Sequence, residues 1–192
     1  MLQWARANGA PWDEETCYFA AESGHLEVLQ WLHANGCPWD ECTSFSARNE
    51  GHIEMLNWTI LNDCPVDEDT LSFLAYGGHL EMLQCARANG CDWDEDICSN
   101  AAGGGHLEVL QWLRANGCPW DEKTCACAAE YGHLEVLQWA HANGAPWDEE
   151  TCMEAKRNGH YDMLEWAQAN GCPSGYSDAS GYSDDDGFDE DD

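Results

Sequence analysis

The pair Gly-His recurs at Gly24-His25, Gly51-His52, Gly78-His79, Gly105-His106, Gly132-His133 and Gly159-His160, always 27 residues apart. Self-similarity at a fixed short period is the mark of a stacked repeat array, because one unit of that length cannot bury its own apolar surface. Leu29, Leu56, Leu83, Leu110, Leu137 and Leu164 keep the same period, as do Trp31, Trp58, Cys85, Trp112, Trp139 and Trp166. Six complete units therefore run over residues 13–174, after a partial unit at residues 1–12.

Each unit reads as two short helices with punctuation between them. Asp13 is placed to cap the free N–H groups of a first helix, helix A, and Glu14 and Glu15 suit the positive end of its dipole. Gly24 allows the left-handed turn that ends helix A, and helix B follows from His25 to Ala34. Asn35-Gly36 stops helix B, Pro38 discourages further helix, and Asp40 opens the next unit. Helix B is apolar almost all round, at Leu26, Val28, Leu29, Trp31, Leu32 and Ala34, as a helix pressed between neighbours must be. The fold class expected is all-α, a solenoid of stacked helix-turn-helix units extending roughly 60 Å at about 10 Å per layer.

Comparison of the six copies separates frame from variation. Thr16, Ala20 and Ala21 keep close equivalents, whereas four positions of helix A change freely. Glu15 becomes Cys42, Asp69, Asp96, Lys123 and Glu150; Tyr18 becomes Phe45, Ser72, Ser99, Ala126 and Met153. Phe19 becomes Ser46, Phe73, Asn100, Cys127 and Glu154; Glu22 becomes Asn49, Tyr76, Gly103, Glu130 and Arg157. Their spacing of i, i+3, i+4 and i+7 places them on one face of one helix. The binding residues expected from this face are Glu15, Tyr18, Phe19, Glu22, Phe45, Phe73, Tyr76, Asp96, Asn100, Lys123 and Glu130.

The stretch from Thr16 to Leu29, TCYFAAESGHLEVL, resembles the central part of an ankyrin repeat, T-x-x-x-A-A-x-x-G-H-x-E-V-L, and the likeness returns in all six units. It differs in length, 27 residues against the usual 33, and lacks the Thr-Pro-Leu-His opening of helix A. In this it is similar to the short, Trp-rich arrays of algal, oomycete and large-virus genomes. The missing residues fall where the family projects a β-hairpin finger, so full fingers are not expected. The resemblance implies a protein-binding scaffold without catalytic machinery or cofactor.

Charge narrows the choice of partner. Seven Lys and Arg oppose thirty-seven Asp and Glu, a formal charge of -30, so the surface repels phosphate backbones and direct nucleic-acid binding is not expected. Glu14 and its copies Glu41, Glu68, Glu95, Glu122 and Glu149 form a negative stripe suited to a basic protein segment. No apolar run of about eighteen residues is present, so no membrane span is expected. Twelve cysteines are too few for a disulfide scaffold in a chain able to bury a core, and reduced thiols in a cytoplasmic or nuclear setting are expected.

Single residue types that invite chemistry recur with the repeat instead of converging. The Gly-His histidines fall one per layer, too far apart to share a metal ion, and read as structural. Cys37, Cys64, Cys91, Cys118 and Cys172 read as small buried hydrophobes, and so do Cys98, Cys125 and Cys152. Cys118, Cys125, Cys127 and His133 lie close in sequence but match no zinc spacing. Trp12, Trp39, Trp93, Trp120 and Trp147 form a packing ladder. Catalytic triads, phosphate loops and zinc-protease motifs are missing from the sequence, and an enzyme is not expected.

Met1 aligns with Val28, inside helix B, which reads as a fragment of a longer array. Residues 175–192 carry eight acids and no base and are expected to be disordered. Two functions follow as expectations: a monomeric scaffold gripping a protein along helix A, or an acidic shield for basic proteins, the two separable by added salt.

Overall fold

The computed structural model describes residues 2–173, so the acidic tail lies outside the described residues. After the short α1 (Leu2–Ala7), pairs of helices follow with the expected period. Helix A of the six units is α2 (Glu14–Glu22), α4 (Glu41–Asn49), α6 (Glu68–Tyr76), α8 (Glu95–Gly103), α10 (Glu122–Glu130) and α12 (Glu149–Arg157). Helix B is α3 (Leu26–Ala34), α5 (Ile53–Leu61), α7 (Leu80–Ala88), α9 (Leu107–Ala115), α11 (Leu134–Ala142) and α13 (Tyr161–Ala169). No strand occurs among the described residues, and the short junctions carry no finger.

Aspartate opens every helix A. The Asp40, Asp94, Asp121 and Asp148 carboxylates accept from the second N–H of their helices at 3.0–3.1 Å, and Asp67 accepts from the Thr70 N–H at 2.7 Å. Asparagine closes most of the helices B: the Asn35 amide donates to the Trp31 carbonyl at 2.7 Å, and Asn62, Asn116, Asn143 and Asn170 repeat that bond. Orphan donors and acceptors are thus met locally, so nine-residue helices form here although such lengths are marginal alone.

Layering then buries the apolar faces. Each helix A packs on the next, α2 on α4 through to α10 on α12, and helices B of neighbouring units also meet, α5 on α7 and α9 on α11. Leu29, Leu56, Leu83, Leu110 and Leu137 are buried through this continuous core. A second contact joins neighbouring turns: a Cβ on Gly105 would stand 2.5 Å from the His133 ring. Gly24, Gly78, Gly105 and Gly132 each make room for the next layer's histidine, and Gly105 also adopts a positive φ of 76°.

The junctions hold tryptophan pairs. Trp12, Trp93 and Trp120 meet Trp31, Trp112 and Trp139 edge to face, with centroids 5.6–6.1 Å apart. On the other side of each junction ring lies a cation, Arg6 at 3.9 Å, Arg87 at 4.3 Å and Arg114 at 4.0 Å. His33 and His141 occupy the same place over Trp39 and Trp147, stacked at 4.0 and 3.8 Å. A cation six residues before a junction tryptophan is the sequence signal of this stack.

Buried cysteines have a role beyond filling space. Cys37, Cys64, Cys118 and Cys172 thiols point at the carbonyls of Asp13, Asp40, Asp94 and Asp148 at 3.3–3.5 Å, a weak tie from each junction to the preceding cap. Cys42 alone among the described cysteines is exposed, with Cys85, Cys91 and Cys127 half-buried. Thiol labelling of the native protein is expected to modify Cys42 first, the half-buried three more slowly and the rest on unfolding. Mass spectrometry of the labelled peptides checks the order; early labelling of Cys98 or Cys125 would contradict the packing.

Candidate functional site

The variable positions of helix A fall into an exposed edge and a mixed seam. Glu15, Asp69, Asp96, Lys123 and Glu150 all reach solvent, as do Glu22, Asn49, Tyr76 and Arg157 at the other end of that face. Between them the stacking of helix A on helix A draws some positions inward. Ser46, Ser99 and Gly103 are buried, and Glu154 is only 9 % exposed. Variation at those positions reflects accommodation between layers as well as exposure.

The aromatic residues divide in the same way. Phe19 is 56 % exposed and meets Tyr18 edge to face at 5.3 Å, while the Tyr18 hydroxyl donates to Glu22 at 3.2 Å. The Glu22 carboxylate holds the Tyr18 phenol above its ordinary range, since ionisation would place two negative charges side by side. Phe45 is exposed beneath the Arg48 guanidinium at 5.1 Å. Phe73 is half-buried against the core and lies 6.2 Å from the His79 ring, so it serves the frame more than the surface.

Polar residues tie the units together along this flank. Lys123 pairs with Asp96 one unit away at 3.0 Å, which raises the lysine above its usual range chiefly through that hydrogen bond. The Asn100 amide donates to the Asp96 carbonyl at 2.8 Å. Arg48 pairs with Asp67 at 3.5 Å, and Arg157 with Glu154. Arg6, Arg87 and Arg114 lie on tryptophans, so these bases are engaged within the chain while acids crowd the flank. An open groove lined by Glu41, Val66, Asp67 and Asp69 carries the acidic edge to the junction side.

One exposed aromatic residue outside the expected set lies beside it. Tyr131, following Glu130, is 48 % exposed and meets the 46 % exposed Tyr76 edge to face, with centroids 6.0 Å apart. Internal comparison could have found it, because its copies are Ser23, Glu50, Gly77, Gly104 and Asn158 and no other is aromatic. Glu130 and Tyr76 both push the Tyr131 phenol upward. No group of three or more His, Cys, Asp and Glu side chains placed to hold a metal ion occurs among the described residues.

Residues 17–58, helix A of the first unit to helix B of the second, match a family model described as ankyrin repeats in many copies. The crystal structure of the human ASB11 ankyrin repeat domain is similar in fold, with a TM-score of 0.61 at 16 % identity, over 81 % of this chain and 83 % of that one. At that identity the likeness is one of fold. No curated protein matches the chain by sequence.

Proposed function

We propose that this chain, built of ankyrin repeats, is a non-catalytic scaffold that holds a partner protein along the exposed flank of its A helices. Ankyrin repeats generally bind other proteins, and the chain has the fold and the repeat signature. The observation that carries the assignment to this flank is the run of exposed, non-repeating side chains over a buried repeating frame, from Glu15 and Phe19 to Tyr76, Tyr131 and Glu150. Exposed aromatic side chains among acids supply the rigid anchors that carry interface energy. A single copy in a reducing compartment completes the reading; the unpaired thiols support the compartment.

The experiment is retention of proteins from the source cell extract by the immobilised array and by a variant carrying Glu22→Ala, Tyr76→Ala and Glu130→Ala. At about 0.15 M salt and again at about 1 M, where screening is nearly complete, the scaffold retains its partner and the variant loses it. The acidic charge of -30 favours a second reading, a shield for basic proteins. That reading predicts retention of many basic proteins at low salt, none at high salt, and indifference to the tyrosine.

A further inference from the structure

Resting on the helix A flank as the binding face, we infer that Tyr76, Tyr131 and Glu130 form an arginine clamp: a partner's guanidinium lies on a tyrosine ring and pairs with the Glu130 carboxylate. The repeat is broken here in two ways at once. Residues 103–105 are three glycines in a row, found in no other unit, and Tyr131 is the one aromatic residue in its column. The two breaks are one feature in space. A Cβ on Gly103 would touch the Tyr131 ring at 3.5 Å, and one on Gly104 would collide with the Tyr76 carbonyl. Removal of side chains from the fourth unit thus lets a ring from the fifth lie across it and reach a ring from the third.

Packing alone does not call for such a bridge, since both rings remain about half exposed. Their setting selects the occupant. Glu130 stands beside them, while Asp96 on the same flank is already paired with Lys123. A phosphate-bearing ligand meets repulsion there, and a purely apolar one strips water from Glu130 with no return. A cation satisfies both the ring faces and the carboxylate. Arginine fits better than lysine because its planar guanidinium stacks and offers a fork of donors to the carboxylate at the same time. This chain stacks arginine on aromatic rings itself at Arg6, Arg87 and Arg114, each within 4.3 Å of a tryptophan centroid, and Arg87 pairs with the Asp92 carboxylate at 3.5 Å as well. Among the described residues no arginine lies over Tyr76 or Tyr131.

The test titrates the full array with a short acetylated glycine–arginine peptide, and with its lysine and citrulline counterparts, at about 0.15 M salt. The arginine peptide is expected to bind tighter than the lysine one and the citrulline peptide not to bind. Tyr76→Ala with Tyr131→Ala is expected to weaken the arginine peptide about tenfold, a factor of roughly two to five per ring. The melting temperature should hold, because the rings are half exposed; Tyr131→Leu, which keeps bulk and removes the hydroxyl and aromatic face, gives the same loss if alanine loosens the fold. Arginine side-chain protons of the bound peptide should shift upfield under the ring current. No binding to the wild type, equal binding of the lysine peptide, or equal binding to the double variant overturns the clamp. Should the clamp fail while a protein from the extract is still lost by the Glu22, Tyr76 and Glu130 variant, the flank stands without it; should both fail, the flank itself is wrong.

Discussion

Gly104→Ala is expected to lower stability more than a glycine-to-alanine change at a junction such as Gly36. The added Cβ would press on the Tyr76 carbonyl oxygen and stand 2.9 Å from its carbonyl carbon and 2.7 Å from the His106 ring. A side chain can rotate away from such a clash, but the Tyr76 carbonyl is held within its own helix end. Overpacking against movable neighbours costs about 1–3 kcal/mol, so a backbone obstacle places this change at about 3 kcal/mol or above. Gly36 offers the contrast. A Cβ there meets nothing, and only its φ of 75° resists, worth about 1–2 kcal/mol. Because stability in a stacked array is summed from neighbour contacts, loosening the contact between the third and fourth units should also split urea unfolding into two steps. Equal loss in the two variants, or a single unchanged transition for Gly104→Ala, would show that the turn does not rest on Tyr76.

Alkaline pH is expected to unfold the array well before its other groups account for the loss. Burial pushes the Cys64 thiol up to about 12, and burial does the same to Cys125, from an ordinary value of 9.0. Cys17 and Cys172 are raised by burial and by a neighbouring cysteine, and Cys98 by the Cys118 thiol and then by burial. The sign follows from proton counts. Below the ordinary thiol value both states hold the proton and nothing is lost. Above it the unfolded chain releases protons that the folded chain keeps, so stability falls from about pH 9 until the folded thiols ionise, about pH 12 for Cys64 and Cys125. Each such thiol contributes about 1.4 kcal/mol per pH unit, and several together match the few kcal/mol by which domains are stable. Urea midpoints should therefore be level from about pH 7 to about pH 8 and drop steeply from about pH 9 to about pH 11. Cys64→Ala with Cys125→Ala should flatten that slope, which separates thiols from tyrosines and lysines titrating in the same range. Alanine is already the resident of the Cys64 column at Ala145, where it is buried. An unchanged slope in the double variant would contradict the account.

Helix boundaries were legible because their signals are local. Asp40 at a start, Gly36 at a stop and Gly24 at a turn act within a few residues, and the helices begin and end where those residues put them. Exposure along helix A was legible only in part, because it depends on what the next layer brings. Ser46 and Glu154 vary as freely as Phe19, yet they are buried where helix A meets helix A. Phe73 shares a column with Phe19 and turns to the core and His79. Tyr131 was overlooked for the opposite reason. Its partner Tyr76 is 55 positions away, and the contact is made across a unit whose glycines lie against both residues.

Hydrogen–deuterium exchange on the array with and without its captured partner tests the central claim most directly. Protection is predicted on α2, α4, α6, α8, α10 and α12, strongest near Tyr76 and Glu130, with the helices B and the tryptophan junctions exchanging as in the free protein. Protection confined to α3, α5, α7, α9, α11 and α13, or to the junctions, would contradict it.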